Sequence, residues 1–295
     1  MAAAKTWPDS FWRIGLMLCA VVVGHASNHE VRVKPLEPRV WQTEFHSAAL
    51  NRIMPFLVIL PEGCELSSAE RIPVIYFLHG RGRDEKTLLA DDFSRRPLLT
   101  SRCAIVLPRG EDGWYIDSPI ISQDRYASYL DEVIAAAEAA FPLRRDAPGR
   151  AIGGWSMGGY GAAYTFARRH GDFAALASII GILDYPRDDI LPAEQNYPVQ
   201  PRFGGEPEVW RRLNPRLLLS GMPQRPLFVA YADLAPERQM NEAFIAQGRL
   251  LRMAVTEMRI PGGHVFAVVR EALPAALAFL ELQLFVPATI PPPAP

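Results

Sequence analysis

One stretch of this chain, Gly153-Gly154-Trp155-Ser156-Met157-Gly158-Gly159-Tyr160-Gly161, restricts the fold more than any other. It holds a Gly-x-Ser-x-Gly pattern, whose meaning depends on its flanks. Ahead of it, Arg150-Ala151-Ile152 is short and apolar and follows a Pro148-Gly149 turn, which predicts a buried parallel strand. Behind it, Tyr160 to His170 predicts a helix stopped by Gly171. Strand, sharp turn and helix together put a serine hydroxyl at the top of a sheet. The flanking glycines are needed because a side chain at either position would clash inside so tight a bend.

The rest of the chain supplies the context that such a turn needs. Val40 to Phe45 and Met54 to Leu60 predict two early strands, an antiparallel pair at the sheet edge. Ile72 to Leu78 and Cys103 to Pro108 are continuous apolar runs. Arg125 to Phe141 is an amphipathic helix with Tyr126, Tyr129, Leu130, Val133, Ile134 and Ala137 on one face. After the serine turn come a strand over Phe173 to Ile180, a strand over Pro226 to Ala232, a helix over Glu237 to Leu251 and a strand over Val255 to Ile260. A helix from Val265 to Leu284, with Pro274 inside it, closes the series. Strands alternating with helices at this spacing predict a mostly parallel sheet with helices on both faces. Two early strands before the first β-α unit, and the serine turn in mid-chain, fit an α/β-hydrolase fold. The segment 183–214, rich in Pro, Asp and Arg, breaks the alternation. It is either a lid over the site or a plain surface excursion.

At 295 residues, 49% of them hydrophobic and with no compositional break, the chain supports one large α/β domain over residues 40–285. A net charge of −1 with no long run of one sign argues against nucleic-acid binding, which needs a basic face. No internal repeat is visible, which argues against a solenoid or propeller. Residues 1–26 have the pattern of a signal peptide. Lys5 and Arg13 precede an apolar run from Ile14 to Gly24, and Gly24-His25-Ala26 offers small residues for cleavage. The run is too short to span a bilayer comfortably, which takes about 20 residues, so the expected location is secreted or periplasmic with no stable membrane span. Cys64 and Cys103 would remain after cleavage, an even pair that is either a disulfide or two separate thiols. Residues 286–295 form a proline-rich tail, expected to be extended or disordered.

A serine hydroxyl is a weak nucleophile until a base takes its proton. Of six histidines, His25 and His29 lie at the signal junction, and His46 is near an edge strand. His79 precedes a glycine loop and suits packing or holding that turn. His170 ends the helix after Ser156. His264, in Pro261-Gly262-Gly263-His264 directly after the last strand, stands where a catalytic base belongs. The imidazole needs a carboxylate. In the chain order Ser, acid, His, Asp233 ends the Leu227-to-Ala232 strand and is the expected partner. Glu237, four residues later in the following helix, is the alternative, and Asp184, Asp188 and Asp189 are poorer ones. Donors for the oxyanion are expected from the backbone N–H groups of Met157 and Arg81. The Arg81 side chain would either stay solvated or steer an acidic group of the substrate. Trp114 and Tyr115, after a strand-end loop, either line the substrate pocket or pack beneath the loop. Trp155, beside Ser156, is the third candidate substrate-binding aromatic.

Together His79-Gly80, Trp114-Tyr115, the Gly154-to-Gly161 elbow, Asp233 and Gly262-Gly263-His264 resemble the Putative esterase family of the α/β-hydrolases. That family includes S-formylglutathione hydrolase, feruloyl and acetylxylan esterases and the secreted mycolyltransferases. The resemblance runs from about residue 40 to about residue 284 and implies a serine hydrolase acting on carboxylic esters through Ser156, Asp233 and His264. It implies neither metal nor organic cofactor, and a small-molecule or carbohydrate-linked ester as substrate. Arg81-Gly82-Arg83, where hydrophobic or small residues are more usual, and Tyr231-Ala232 before Asp233 depart from the pattern and bear on substrate choice. An acyltransferase would use the same residues, and a secreted binding protein of this fold would have no reason to keep all three.

Overall fold

A nine-stranded sheet forms the centre of the molecule, with strand order β1-β2-β3-β5-β4-β6-β7-β8-β9. The computed structural model describes residues 30–189, 194, 197–222 and 224–285. The signal-peptide segment 1–26 and the tail 286–295 lie outside these residues. Three antiparallel strands lead in: β1 (Arg32–Glu37), β2 (Val40–Ser47) and β3 (Arg52–Ile59). The sequence predicts β2 and β3 but not β1, whose Arg32-Val33-Lys34-Pro35 is half-exposed and has no apolar face to betray it. From there β4 (Val74–Leu78), β5 (Ala104–Pro108), β6 (Arg150–Trp155), β7 (Ala175–Ile179), β8 (Leu227–Ala232) and β9 (Val255–Ile260) run parallel.

The reason for continuous apolar runs is visible in β4, β5, β7 and β8, each buried along its whole length. Such strands are covered on both faces. One face packs α3 (Tyr126–Ala140), α4 (Met157–Arg168) and α7 (Arg238–Leu250), through residues such as Tyr129, Val133, Tyr160, Phe166 and Phe244. The other packs α8 (Phe266–Phe285) with the short α1 (Thr87–Ala90) and α2 (Asp92–Leu99), through Leu88, Leu98, Val269, Leu273 and Leu280. Pro274 sits inside α8 without ending it. No helix among the described residues is long and apolar enough to cross a membrane.

The described residues between β7 and β8 form a packed excursion rather than a loose loop. It includes α5 (Pro207–Leu213) and α6 (Pro215–Leu218), with Asn214 capping α6 through the Arg216 and Leu217 N–H groups. Tyr185 and Phe203 from this excursion bury their rings against Trp114 and Tyr160, with centroids 5.1–6.2 Å apart. Of the two answers left open for the cysteines, the structure gives the separate thiols: Cys64 and Cys103 are both free. Cys103 is buried, and burial pushes its thiol up to about 12, so it packs as a small hydrophobe.

Candidate functional site

Parallel strands bring their C-terminal ends to one edge of the sheet, and four of those ends build the site. β6 delivers Ser156, β4 delivers Gly80 and Arg81, β8 leads to Asp233 and Glu237, and β9 leads to His264.

Ser156 sits at φ 54° and ψ −122°, a left-handed conformation that costs a residue with a side chain about 1–3 kcal/mol. The strain is held by the surroundings. Its N–H donates to Ile179 O and its carbonyl accepts from Tyr160 N–H, locking it between β7 and α4. The turn closes so tightly that a Cβ at Gly158 would lie 2.2 Å from Leu78 O, and one at Gly154 would lie 2.4 Å from Gly158 O. Both positions therefore require glycine.

From the elbow, Ser156 Oγ reaches His264 Nε2 at 2.9 Å. The other ring nitrogen, Nδ1, is 2.8 Å from Glu237 Oε1. A carboxylate only accepts, so Nδ1 carries the proton and Nε2 faces the serine hydroxyl as an acceptor. Glu237 is fully buried, whereas the imidazole is about one-quarter exposed (26%). A chain of hydrogen-bond contacts thus runs from Ser156 through His264 to Glu237.

This corrects the expectation that Asp233 partners His264. Pairing between β8 and β9 continues past the strand ends, through Asp233 N–H to Ile260 O and Leu234 N–H to Gly262 O. The Asp233 carboxylate is drawn into that extension and accepts the Gly262 N–H at 3.0 Å. It braces the loop that carries His264 and leaves the imidazole to another group. A turn through Ala235 and Pro236 then brings Glu237 back as the residue that starts α7. Asn241 fixes that start, its amide donating to Glu237 O at 2.9 Å and to Gly181 O at 2.8 Å. The longer glutamate side chain covers the remaining distance. The sequence carried one clue: the Ala235-Pro236 turn places Glu237 at a helix N-terminus, where a carboxylate is favoured.

His79 does what its place before a glycine loop suggests. It is buried, with Nδ1 2.8 Å from Gly80 O and Nε2 accepting Gly110 N–H at 2.8 Å. Tyr115 lies beneath the same turn, its hydroxyl accepting from His79 N–H and donating to His79 O. The turn they hold runs close under the nucleophile: a Cβ at Gly80 would lie 3.2 Å from Ser156 Cβ. Arg81 follows immediately, with an exposed side chain, and Met157 opens α4, where backbone N–H groups have no partner within the helix.

Burial lowers the His79 pKa below its ordinary 6.5, so the ring is neutral in the fold. The unfolded chain takes up a proton as pH falls below 6.5, and the folded chain does so only at lower pH. The stability contributed is therefore complete above 6.5, declines on acidification, and levels off below the folded pKa. Urea unfolding measured from pH 7 to 5 should show a decline of up to about 1.4 kcal/mol per pH unit that H79N lacks. An equal slope in both proteins would assign the proton uptake elsewhere.

The three aromatics expected to bind substrate need correction as well. Tyr115 is fully buried, and Trp114 and Trp155 are each 4% exposed. Trp114 is enclosed by Tyr160, Tyr185 and Phe203. Trp155 packs among Phe77, His79 and Phe266 beneath the Gly80 turn. All three support the loops around the serine and present no open wall to a ligand. A residue the sequence did not single out stands closer. Tyr197, from the excursion, donates its hydroxyl to Glu237 Oε2 at 3.0 Å, with its ring 5.8 Å from the His264 ring.

A serine held in a strained strand-to-helix turn, beside a histidine and a buried carboxylate on a mostly parallel sheet, defines a serine-hydrolase site on an α/β-hydrolase fold. The family model described as Putative esterase matches residues 47–280, and the chain belongs to that family. Over 157 residues it is 31% identical to an esterase of Mycobacterium tuberculosis, a match covering 52% of this chain and 34% of that one. An acetyl esterase of Caldicellulosiruptor saccharolyticus is 24% identical over 151 residues, 49% of this chain and 56% of the relative. The chain thus spans between one-third and just over half the length of these relatives.

Among solved structures, a fluorophosphonate-binding serine hydrolase of Staphylococcus aureus superposes with a TM-score of 0.67 at 20% identity, covering 82% of this chain and 98% of that one. An S-formylglutathione hydrolase of Agrobacterium tumefaciens gives 0.67 at 17% identity, covering 85% and 98%. At these identities the likeness is one of fold.

Proposed function

We propose that the protein is a serine esterase that cleaves a carboxylic ester through an acyl-enzyme. Ser156 Oγ adds to the ester carbonyl while His264 Nε2 takes its proton, and the carbonyl oxygen becomes an oxyanion held by the N–H groups of Met157 and Arg81. Glu237 holds the imidazole in the required tautomer and offsets its positive charge. Collapse expels the alcohol, whose oxygen takes the proton from Nε2 and leaves the acyl group on Ser156. Water activated by the same nitrogen then releases the acid and restores the hydroxyl.

The observation that carries this reading is the 2.9 Å contact between Ser156 Oγ and His264 Nε2, backed by the 2.8 Å contact between Nδ1 and Glu237. Each oxyanion donor is typically worth about 3–4 kcal/mol of barrier. We place the enzyme outside the cytoplasm on the signal-peptide pattern of residues 1–26. An acetyl esterase among its relatives and a ferulic acid esterase among its structural neighbours make acetyl and feruloyl esters the first substrates to try.

Labelling tests the reading directly. A fluorophosphonate probe should attach to Ser156, as located by peptide mass, and S156A should remain unlabelled. A panel of p-nitrophenyl esters of rising acyl length, beside feruloyl and acetyl sugar esters, then reads substrate choice. A folded protein that binds an ester stoichiometrically, yet neither labels nor turns over, would be a binding protein instead.

A further inference from the structure

The relay of Ser156, His264 and Glu237 uses one oxygen of the glutamate and leaves the other to be explained. Glu237 is fully buried, so an unpaired Oε2 would be destabilising. It would also leave the carboxylate free to turn away from Nδ1. Tyr197 meets both needs, with its hydroxyl 3.0 Å from Oε2 and its ring at 66° to the imidazole, edge against face.

We propose that Tyr197 is the positioning residue of this site, fixing Glu237 and His264 in register so that the excursion between β7 and β8 completes the catalytic relay.

Three features support that role. The hydroxyl remains a donor: burial, and then the charge of Glu237, raise the Tyr197 pKa well above its ordinary value. Two further polar groups face this pair, the His264 imidazole from the loop after β9 and the charged Arg81 guanidinium, whose field reaches Tyr197, from the loop after β4. Neither offers Oε2 a hydrogen bond.

The second feature is anchorage on both sides. Tyr197 N–H donates to Glu194 O at 2.8 Å, and the buried Glu194 carboxylate pairs with Arg187. On the other side the Tyr185 hydroxyl donates to Pro198 O at 3.1 Å and accepts Gln200 N–H at 2.7 Å. The aromatic packing of Tyr185 against Trp114 ties that anchor to the body of the domain.

The third is economy of contact. Among the described residues of the relay, Tyr197 contacts Glu237 and His264, so its removal should change turnover more than substrate binding.

This inference rests on the esterase reading, and the test separates the two. Y197F keeps the ring and removes only the hydroxyl. With p-nitrophenyl acetate, kcat should fall roughly 10- to 100-fold, the range of a hydrogen bond to a charged group, while KM stays within about twofold. Fluorophosphonate labelling of Ser156 should slow by the same factor. The NMR resonance of the His264 Nδ1 proton, identified by its loss in H264Q, should shift in Y197F even in protein that turns over no ester. That signal tests the positioning role independently of activity. Unchanged kcat, labelling rate and resonance would overturn the proposal. So would a loss of kcat accompanied by an equal rise in KM, an unchanged resonance and a lowered melting temperature, which would make Tyr197 a packing residue alone.

Discussion

E237Q should lower kcat by roughly 10⁴ while leaving the protein folded, because an amide beside Nδ1 favours the wrong imidazole tautomer and cannot offset the imidazolium charge. D233N should lower it by less than about tenfold, since the amide carbonyl still accepts the Gly262 N–H. Steady-state rates on one p-nitrophenyl ester, with circular dichroism to confirm the fold, decide the matter. The pair is informative because both acids lie within five residues, both precede His264, and both hydrogen-bond the region that carries it. Only Glu237 touches the imidazole, at 2.8 Å, while Asp233 is committed to a backbone N–H of the loop. The reverse ranking would return the role to Asp233. Equal and small effects from both would leave the histidine without a carboxylate partner.

G158A is the substitution expected to damage the fold most directly. Its Cβ would lie 2.2 Å from Leu78 O, 2.5 Å from Leu78 C and 2.6 Å from His79 O. These are backbone atoms of β4 and of the turn below the oxyanion position, so no side-chain rotation relieves the clash. Either α4 lifts off the sheet or the Leu78–His79 backbone moves away from Ser156. The expected cost is about 3 kcal/mol or more, a melting temperature lower by roughly 6–12 °C for a domain of this size. Activity should be lost even at temperatures where the variant remains folded, because both routes displace Ser156 from His264. G171A makes the contrast. Its Cβ would meet open space, and the penalty there comes only from its positive φ of 83°, about 1–2 kcal/mol. Thermal unfolding of the two variants beside the parent separates steric closure of the elbow from a general demand for glycine.

The parts of this protein that depend on short-range sequence were legible before any tertiary structure. The Gly154-to-Gly158 turn was legible because part of the conflict it avoids is local, a Cβ at Gly154 lying 2.4 Å from Gly158 O, although the clash at Gly158 is with Leu78 and His79 of the neighbouring strand. The apolar runs of β4, β5, β7 and β8 announced strands covered on both faces, and parallel strands oblige their C-terminal loops to share one edge. His264 was found for that reason, standing directly after the last strand, as was the place of His79 in a turn.

What tertiary structure decided lies one contact further out. Along the chain Asp233, at the end of its strand, reads as the better acid, and Glu237 four residues later as the weaker alternative. The choice depends on how far β8 stays paired with β9 and where the following turn aims, which is a property of two strands at once. Trp114, Tyr115 and Trp155 are aromatics at loop positions, and a linear pattern does not distinguish an open pocket wall from a ring packed beneath it. Cys64 and Cys103 are an even pair on paper, and only their separate environments make them two thiols. Tyr197 lies in a segment with no periodicity, 40 residues before the glutamate it holds. Nothing in its neighbourhood along the chain marks it, because its role exists only where the excursion folds back over the end of the sheet.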